Sequence, residues 1–311
     1  MKRRYVTADV FTDIPFQGNP VAVVLDCEGL STEQMQSIAA EFAYTETTFV
    51  FPPRDPSHTA WVRIFTPSRE IPFAGHPNIG TAFVLAAKAA QAGEPLPNTL
   101  VFDEAAGVVP VRQLMEGTTV VGGELVAPEQ LSLRSEVAAE SVAACLSLDI
   151  KDIQVDLHRP IVASVGLPFL IVELRSRDAL RRCVPSPVAY KATLPFDGAV
   201  SIYAYTRDIG EDDIQAGCDL QSRMFTPRMT EDPATGSATG ATVALLAAAR
   251  SVPELTLRVR QGVDMGRPST LLASCEKTGD TSTVRVGGKC VAIMEGTFWL
   301  PARPSGTAAC P

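Results

Sequence analysis

An internal repeat narrows the possible folds more than any other feature of the chain. RIFTPSREIPFAGHPNIGTAFVLA (63–86) lies over RMFTPRMTEDPATGSATGATVALLA (223–247). At an offset of 160, Arg63, Phe65, Thr66 and Pro67 match Arg223, Phe225, Thr226 and Pro227. After a one-residue slip, Glu70, Pro72, Gly75, Thr81 and Ala86 match Glu231, Pro233, Gly236, Thr242 and Ala247. Nine identities in about 24 positions exceed what shared composition supplies, and the offset is close to half of the 311 residues. A chain of this length holds about two domains at roughly 150 residues each. The repeat makes them two copies of one unit.

Periodicity fills in the units. Strand-like runs fall at 4–11, 21–26, 45–51, 59–66, 99–103, 107–113 and 119–121, and again at 161–165, 168–174, 198–205, 219–226, 255–260, 270–275, 282–286 and 290–300. Helices are expected at Thr32–Phe42, Pro77–Ala92, near Ser135–Leu146 and at Ser237–Arg250. The first has a capping-box signature in Ser31 and Gln34, and Met35, Ile38, Ala39 and Phe42 make one apolar face. Strand runs well outnumber helices and do not alternate regularly with them, which argues for the α+β class. The expected division is an N-terminal lobe over 1–125 and a C-terminal lobe over 126–285, with helix 135–146 near the junction. Residues 286–311 would return a last strand to the first lobe and end in the loose tail PARPSGTAACP.

Composition excludes several function classes. Lysine and arginine number 27 against 35 acidic residues, a net charge of −8, and no basic run exceeds Lys2-Arg3-Arg4. Nucleic acid and anionic membranes are therefore poor partners. Seven cysteines are scattered with no C-x-x-C, the closest pair being Cys275 and Cys290, and His58, His76 and His158 share no helix turn. Neither a disulfide framework nor a metal site is expected. MKRRYVTADVF runs straight into a strand pattern and the longest apolar stretches, such as VALLAAA (243–249), are short. The expectation is a reduced, cytoplasmic protein.

Each repeat ends in a small-residue loop that opens an apolar helix, AGHPNIG (74–80) and TGSATG (235–240). Free backbone N–H groups at a helix start favour an anion, and two such starts facing one cleft would suit a small carboxylate. Alone, either loop is ordinary capping. His76 stands in the first loop, with Ser237 as its mate; a histidine in a Gly-His-Pro turn is a turn residue at least as readily as a catalyst. Asp232 precedes Pro233 and has the apolar Ile71 as mate, so a carboxylate breaks the symmetry, although Asp before Pro is also a common turn residue. Glu46 begins an otherwise apolar strand run, as either an exposed strand end or a partly desolvated carboxylate suited to acid–base work.

Taken in order, GNPVAVV (18–24), ETTFVF (46–51), RIFTPSREIPFAGHPNIGTA (63–82), EDPATGSATGA (231–241) and QGVDMGRPS (261–269) resemble the PhzF family of phenazine-biosynthesis-type isomerases across nearly the whole chain. The resemblance implies the fold of diaminopimelate epimerase and proline racemase: two pseudo-symmetric lobes, each a mostly antiparallel sheet rolled around a central helix, with the site between them. It implies Glu46 as the acid/base, with His76 and Asp232 holding substrate and assisting. Ser237, Asn78 and the amides around Gly75 and Gly236 would bind the substrate. It further implies a homodimer and a cofactor-free reaction. In the family's best-known member that reaction is isomerisation of trans-2,3-dihydro-3-hydroxyanthranilate. The racemase relatives of this fold use a thiol from each lobe, and here those positions are Ala74 and Thr235. A single carboxylate returning the proton on the same face therefore fits better than two-thiol racemisation. An epimerase lacking the thiol pair and a non-catalytic binding protein are the alternatives.

Overall fold

Strand pairing repeats as the sequence does. The computed structural model describes residues 2–95 and 97–300, and the expected tail at 301–311 lies outside them. The first half contains β1 (Lys2–Val10), β2 (Asn19–Val24), α1 (Thr32–Phe42), β3 (Glu46–Phe51), β4 (Ala60–Phe65), β5 (Glu70–Ile71), α2 (Gly75–Ala92), β6 (Thr99–Glu104), β7 (Gly107–Glu116) and β8 (Thr119–Val126). A connecting stretch follows, with β9 (Ser132–Glu136), α3 (Ala139–Cys145) and β10 (Ile153–Gln154). The second half contains β11 (Ile161–Ser164), β12 (Pro168–Leu174), α4 (Arg177–Arg182), α5 (Pro187–Thr193), β13 (Ile202–Thr206), α6 (Glu211–Gln215), β14 (Leu220–Phe225) and β15 (Glu231–Asp232). It ends with α7 (Gly236–Ala249), β16 (Glu254–Gln261), β17 (Ser269–Thr278) and β18 (Thr281–Trp299).

In the first half β1–β2 is antiparallel, β2–β3 parallel, β3–β4 and β4–β5 antiparallel, β4–β6 parallel, and β6–β7–β8 antiparallel. Adding ten to each strand number reproduces the second half without exception. The class is α+β, with a mixed, mostly antiparallel strand network. α2 packs on β1, β2, β3, β7 and β8, and α7 on β11, β12, β16, β17 and β18. Both helices are buried well beyond a single stripe, as a helix surrounded by sheet must be. A shared core runs through both, from Val10, Ile79, Phe83 and Phe102 to Leu246, Val259 and Leu271.

The matched arginine and glutamate of each repeat are partners despite the one-residue slip between them. Arg63 forks onto Glu70 with two bonds of 2.6 Å, and Arg223 forks onto Glu231 at 3.0 and 2.7 Å. Each fork fastens a two-residue strand, β5 or β15, to the strand before it. The turns match too: Thr66 and Thr226 each donate a backbone N–H across a short loop, to Arg69 and Thr230. Thr48 on β3 bonds Thr81 on α2 at 2.8 Å, and Tyr203 on β13 bonds Thr239 on α7 at 2.9 Å.

β18 joins the halves. It pairs in turn with β17, with β8 over Arg285–Lys289, and with β1 over Cys290–Trp299. At the β8–β18 crossing the glycine pairs 122–123 and 287–288 let two backbones approach closely, and a Cβ on Gly122 would lie 2.1 Å from the Gly288 carbonyl oxygen.

Three expectations need correction. The helix expected over 135–146 begins only at Ala139, because Ser135 lies in β9 opposite β11 and bonds the Asp197 carboxylate through its amide and hydroxyl. Runs 282–286 and 290–300 are one strand, since Gly287 and Gly288 serve close approach rather than a turn. Helices α4 and α5 occupy the β12–β13 connection, where no helix is expected from periodicity; Ser176 caps α4 by accepting from the Ala179 amide. The capping box of α1 forms as expected, between Ser31 and Gln34.

Gly122→Ala should force the β8 and β18 backbones apart and lower stability by about 1–3 kcal/mol or more, the usual cost of overpacking. Gly210→Ala, where a Cβ meets open space, should cost less than about 1 kcal/mol. Denaturant midpoints compare the two, and equal midpoints would refute the close approach.

Candidate functional site

The starts of α2 and α7 carry no side-chain cap, since the N-cap residues are Ala74 and Thr235 and neither makes a capping bond. First-turn N–H groups there remain available to an anion. Gly75 follows Ala74, and Gly236 and Ser237 follow Thr235; all three are half-buried. Asn78, one turn into α2, is fully buried, and its amide donates back to the Ala74 carbonyl at 3.1 Å.

Glu46 opens β3, and its Oε2 lies 3.5 Å from His76 Nε2. Burial, reinforced by the charge of Asp232, pushes the Glu46 carboxyl up to about 7. Burial acts oppositely on the imidazole and lowers His76 to about 3. The two are therefore not an ion pair near neutrality. Proline lacks an N–H, so the Pro20 backbone group bonded to the His76 ring is its carbonyl. Nε2 has no hydrogen-bond partner, which leaves Nδ1 as the donor to Pro20. The Nε2 lone pair then faces the Glu46 carboxyl, where a protonated Glu46 can donate to it.

Asp232 comes from the second half, on β15. Its Oδ2 accepts from Thr235 Oγ1 at 2.5 Å and its Oδ1 from Asn19 Nδ2 at 3.0 Å. Burial outweighs both bonds and raises this carboxyl to about 6. An acid from the second half thus stands close enough to oppose the ionisation of Glu46.

Several supporting residues lie inside the quoted motifs, but sequence reasoning gave them no role. Asn19 donates to Asp232 and to the Ala234 carbonyl, and its Oδ1 accepts from Thr45 next to Glu46. It ties the two acids' segments together across the halves. Gln261 accepts from the Thr235 amide and donates to the Asp232 carbonyl and Thr235 Oγ1, at 2.9–3.1 Å. Arg267 bonds Asp9 and the Gln17 and Gly18 carbonyls, holding the loop before Asn19 against the second half. The signal was present in GNPVAVV and QGVDMGRPS, but an Asn before Pro and a Gln ending a strand look like ordinary turn and edge residues.

The six described cysteines are free and buried, and none lies at either helix start. Among the described residues no cluster of His, Cys, Asp and Glu is arranged to hold a metal, and no helix is long and apolar enough to cross a membrane. A cavity of about 410 Å³ beside Arg54, Trp61, Arg63 and Pro72 includes none of the site residues.

Comparison with known proteins is consistent with this geometry. The family model for phenazine biosynthesis-like proteins, PhzC-PhzF, matches residues 8–296. A trans-2,3-dihydro-3-hydroxyanthranilate isomerase of Pseudomonas aeruginosa is 36% identical over 302 residues, spanning 96% of this chain and 99% of that protein. A Bacillus anthracis phenazine biosynthesis protein of the PhzF family shares the fold with a TM-score of 0.85 at 22% identity, over 96% of this chain and all of that one. A hydroxyproline epimerase from Agrobacterium vitis is a more distant fold match, with a TM-score of 0.59 at 13% identity over 96% of this chain and 91% of that one.

Asn19→Ala removes a bond that favours the Asp232 carboxylate. The Asp232 titration should move to higher pH, and stability should fall by about 1–3 kcal/mol. Carbon-detected NMR of the carboxyl measures the first effect; an unmoved midpoint would contradict the assigned bond.

Proposed function

Because the chain belongs to the PhzC-PhzF family of phenazine biosynthesis-like proteins, an isomerase family, we propose that it moves a proton on a small carboxylated substrate by cofactor-free acid–base chemistry, with Glu46 as the proton carrier. The observation that carries this reading is the Glu46 carboxyl, raised to about 7 by burial and by Asp232, facing the lone pair of a neutral His76. An acid poised near neutrality can take a proton and return it without a large mismatch in either direction. The finer fold reading belongs here too: two lobes, each a sheet wrapped about α2 or α7, with the cleft between them holding the substrate.

In this mechanism the substrate carboxylate docks on the uncapped amides near Gly75 and Gly236, with Ser237 beside it. Glu46, as carboxylate, removes a proton from carbon, and the electron pair spreads into the conjugated system of the substrate. Protonated Glu46 then delivers the proton to another carbon on the same face. His76 takes a hydrogen bond from the protonated acid, and Asp232 orients the substrate while keeping Glu46 from ionising too readily. Ala74 and Thr235 at the helix starts supply no thiol pair, so delivery from the opposite face lacks its usual acid. The relative from P. aeruginosa makes a dihydrohydroxyanthranilate the first substrate to test. Six free, buried cysteines suit a reducing compartment.

Glu46→Gln should fold normally and lose between about 100-fold and 10,000-fold in turnover. Activity within threefold of wild type would sink the role. In D2O the product should carry deuterium at one carbon, because protonated Glu46 exchanges with solvent before delivery, and deuterium-free product would mean that the carried proton does not exchange. Since Glu46 acts first as a base, kcat/KM should fall as pH drops below about 7. A profile flat from pH 5 to 8 would contradict this assignment.

A further inference from the structure

One buried acid plays no part in the reaction above. Glu104 ends β6, is 6% exposed, and neither carboxyl oxygen makes a hydrogen bond of good geometry, the Asn78 side chain being its one polar neighbour. Strand pairing identifies its equivalent in the other half. Trp61 on β4 pairs with Asp103, and its repeat mate Gln221 on β14 pairs with Arg260. Asp103 therefore corresponds to Arg260, and Glu104 to Gln261. Gln261 fastens the end of β16 to the loop before α7 through one accepted and two donated bonds. One turn into α2, Asn78 donates through Nδ2 to the Ala74 carbonyl, as its mate Thr239 does to the Thr235 carbonyl in α7, while Asn78 Oδ1 is buried and unpartnered.

A protonated carboxyl has nearly the shape of a carboxamide, with one donor and one acceptor. The acceptor lacking a donor is Asn78 Oδ1. We propose that Glu104 is a positioning residue acting as a neutral acid: its hydroxyl donates to Asn78 Oδ1, fixing the first turn of α2 and with it His76. This rests on the functional reading given for His76, though not on any particular substrate.

The surroundings favour the neutral form. On its own strand Leu100 and Phe102 share the inner face; β4 presents Ala60 and Val62 there, and β7 presents Val109 and Val111. From α2 the polar group nearby is Asn78. Asp103 points to the opposite face, where it meets His58 at 2.7 Å. Burial pushes Glu104 up to about 8, opposed by the Asn78 amide. Above that pH the donor to Asn78 Oδ1 is lost and the carboxylate draws the Asn78 N–H group instead. The first turn of α2 then has reason to shift.

Glu104→Gln supplies a donor that does not titrate, as in the other half. In wild type, NMR signals of the Asn78 side-chain amide and the His76 ring should show a step near pH 8, absent from the variant; a step near 7 from Glu46 should persist in both. This measurement needs no substrate, so it stands or falls independently of the proposed reaction. With a turned-over substrate, wild type should lose about tenfold of its rate one pH unit above the Glu104 titration. The variant should stay within tenfold of wild type at pH 7 and lack that alkaline loss. The same step near 8 in both proteins, an identical alkaline limb, or a variant more than tenfold slower at pH 7 would each overturn the proposal.

Discussion

Two carboxyl groups from opposite halves of the chain occupy one desolvated place, and like charges out of water resist ionising together. That single constraint organises the surrounding bonds. Asp232 accepts two hydrogen bonds that favour its charge, from Thr235 and Asn19, while Glu46 is left facing an imidazole that burial keeps neutral. The better-bonded acid and the less satisfied one are thus held apart in proton affinity. Asn19, Gln261 and Arg267 keep the segments that carry them in register across the seam.

The repeat supplies the frame, and the departures from symmetry gather where the two halves meet. The Arg–Glu forks, the turns at Thr66 and Thr226 and the strand order are common to both halves. At the seam the mates differ. Asp232 faces its own site where Ile71 stands in the first half; through the pairing of Thr47 with Phe65 and of Ile202 with Phe225, Glu46 corresponds to Ser201. The repeated scaffold gives two equivalent helix starts, and the side chains beside them are unequal.

Much of this was legible in the sequence because it depends on local rules or on repetition. The Ser31–Gln34 capping box is a four-residue signal, and the matched Arg63/Arg223 and Glu70/Glu231 proved to be mutual partners. Ser135 misled because its hydroxyl could cap a helix or bond a distant side chain, and Asp197, far along the chain, decided the matter. Gly287-Gly288 looked like a break because a glycine pair signals a turn unless another backbone is known to lie against it. Asn19 and Gln261 escaped notice for the same reason: their partners lie more than 25 residues away or in the other half. The environment that raises Glu46 is likewise a property of three segments at once, which a strand pattern cannot show.

The last strand has a consequence for how the protein comes into being. Lys2 pairs with Trp299 and Val10 with Cys290, so β1 is synthesised nearly three hundred residues before the strand that covers its edge. Until then one edge of β1 and the glycine face of β8 stay open. An open edge is a template for pairing with other chains. Synthesis therefore cannot finish the first half before the second, although its own eight strands are already made. The order of translation and the order of completion run in opposite directions.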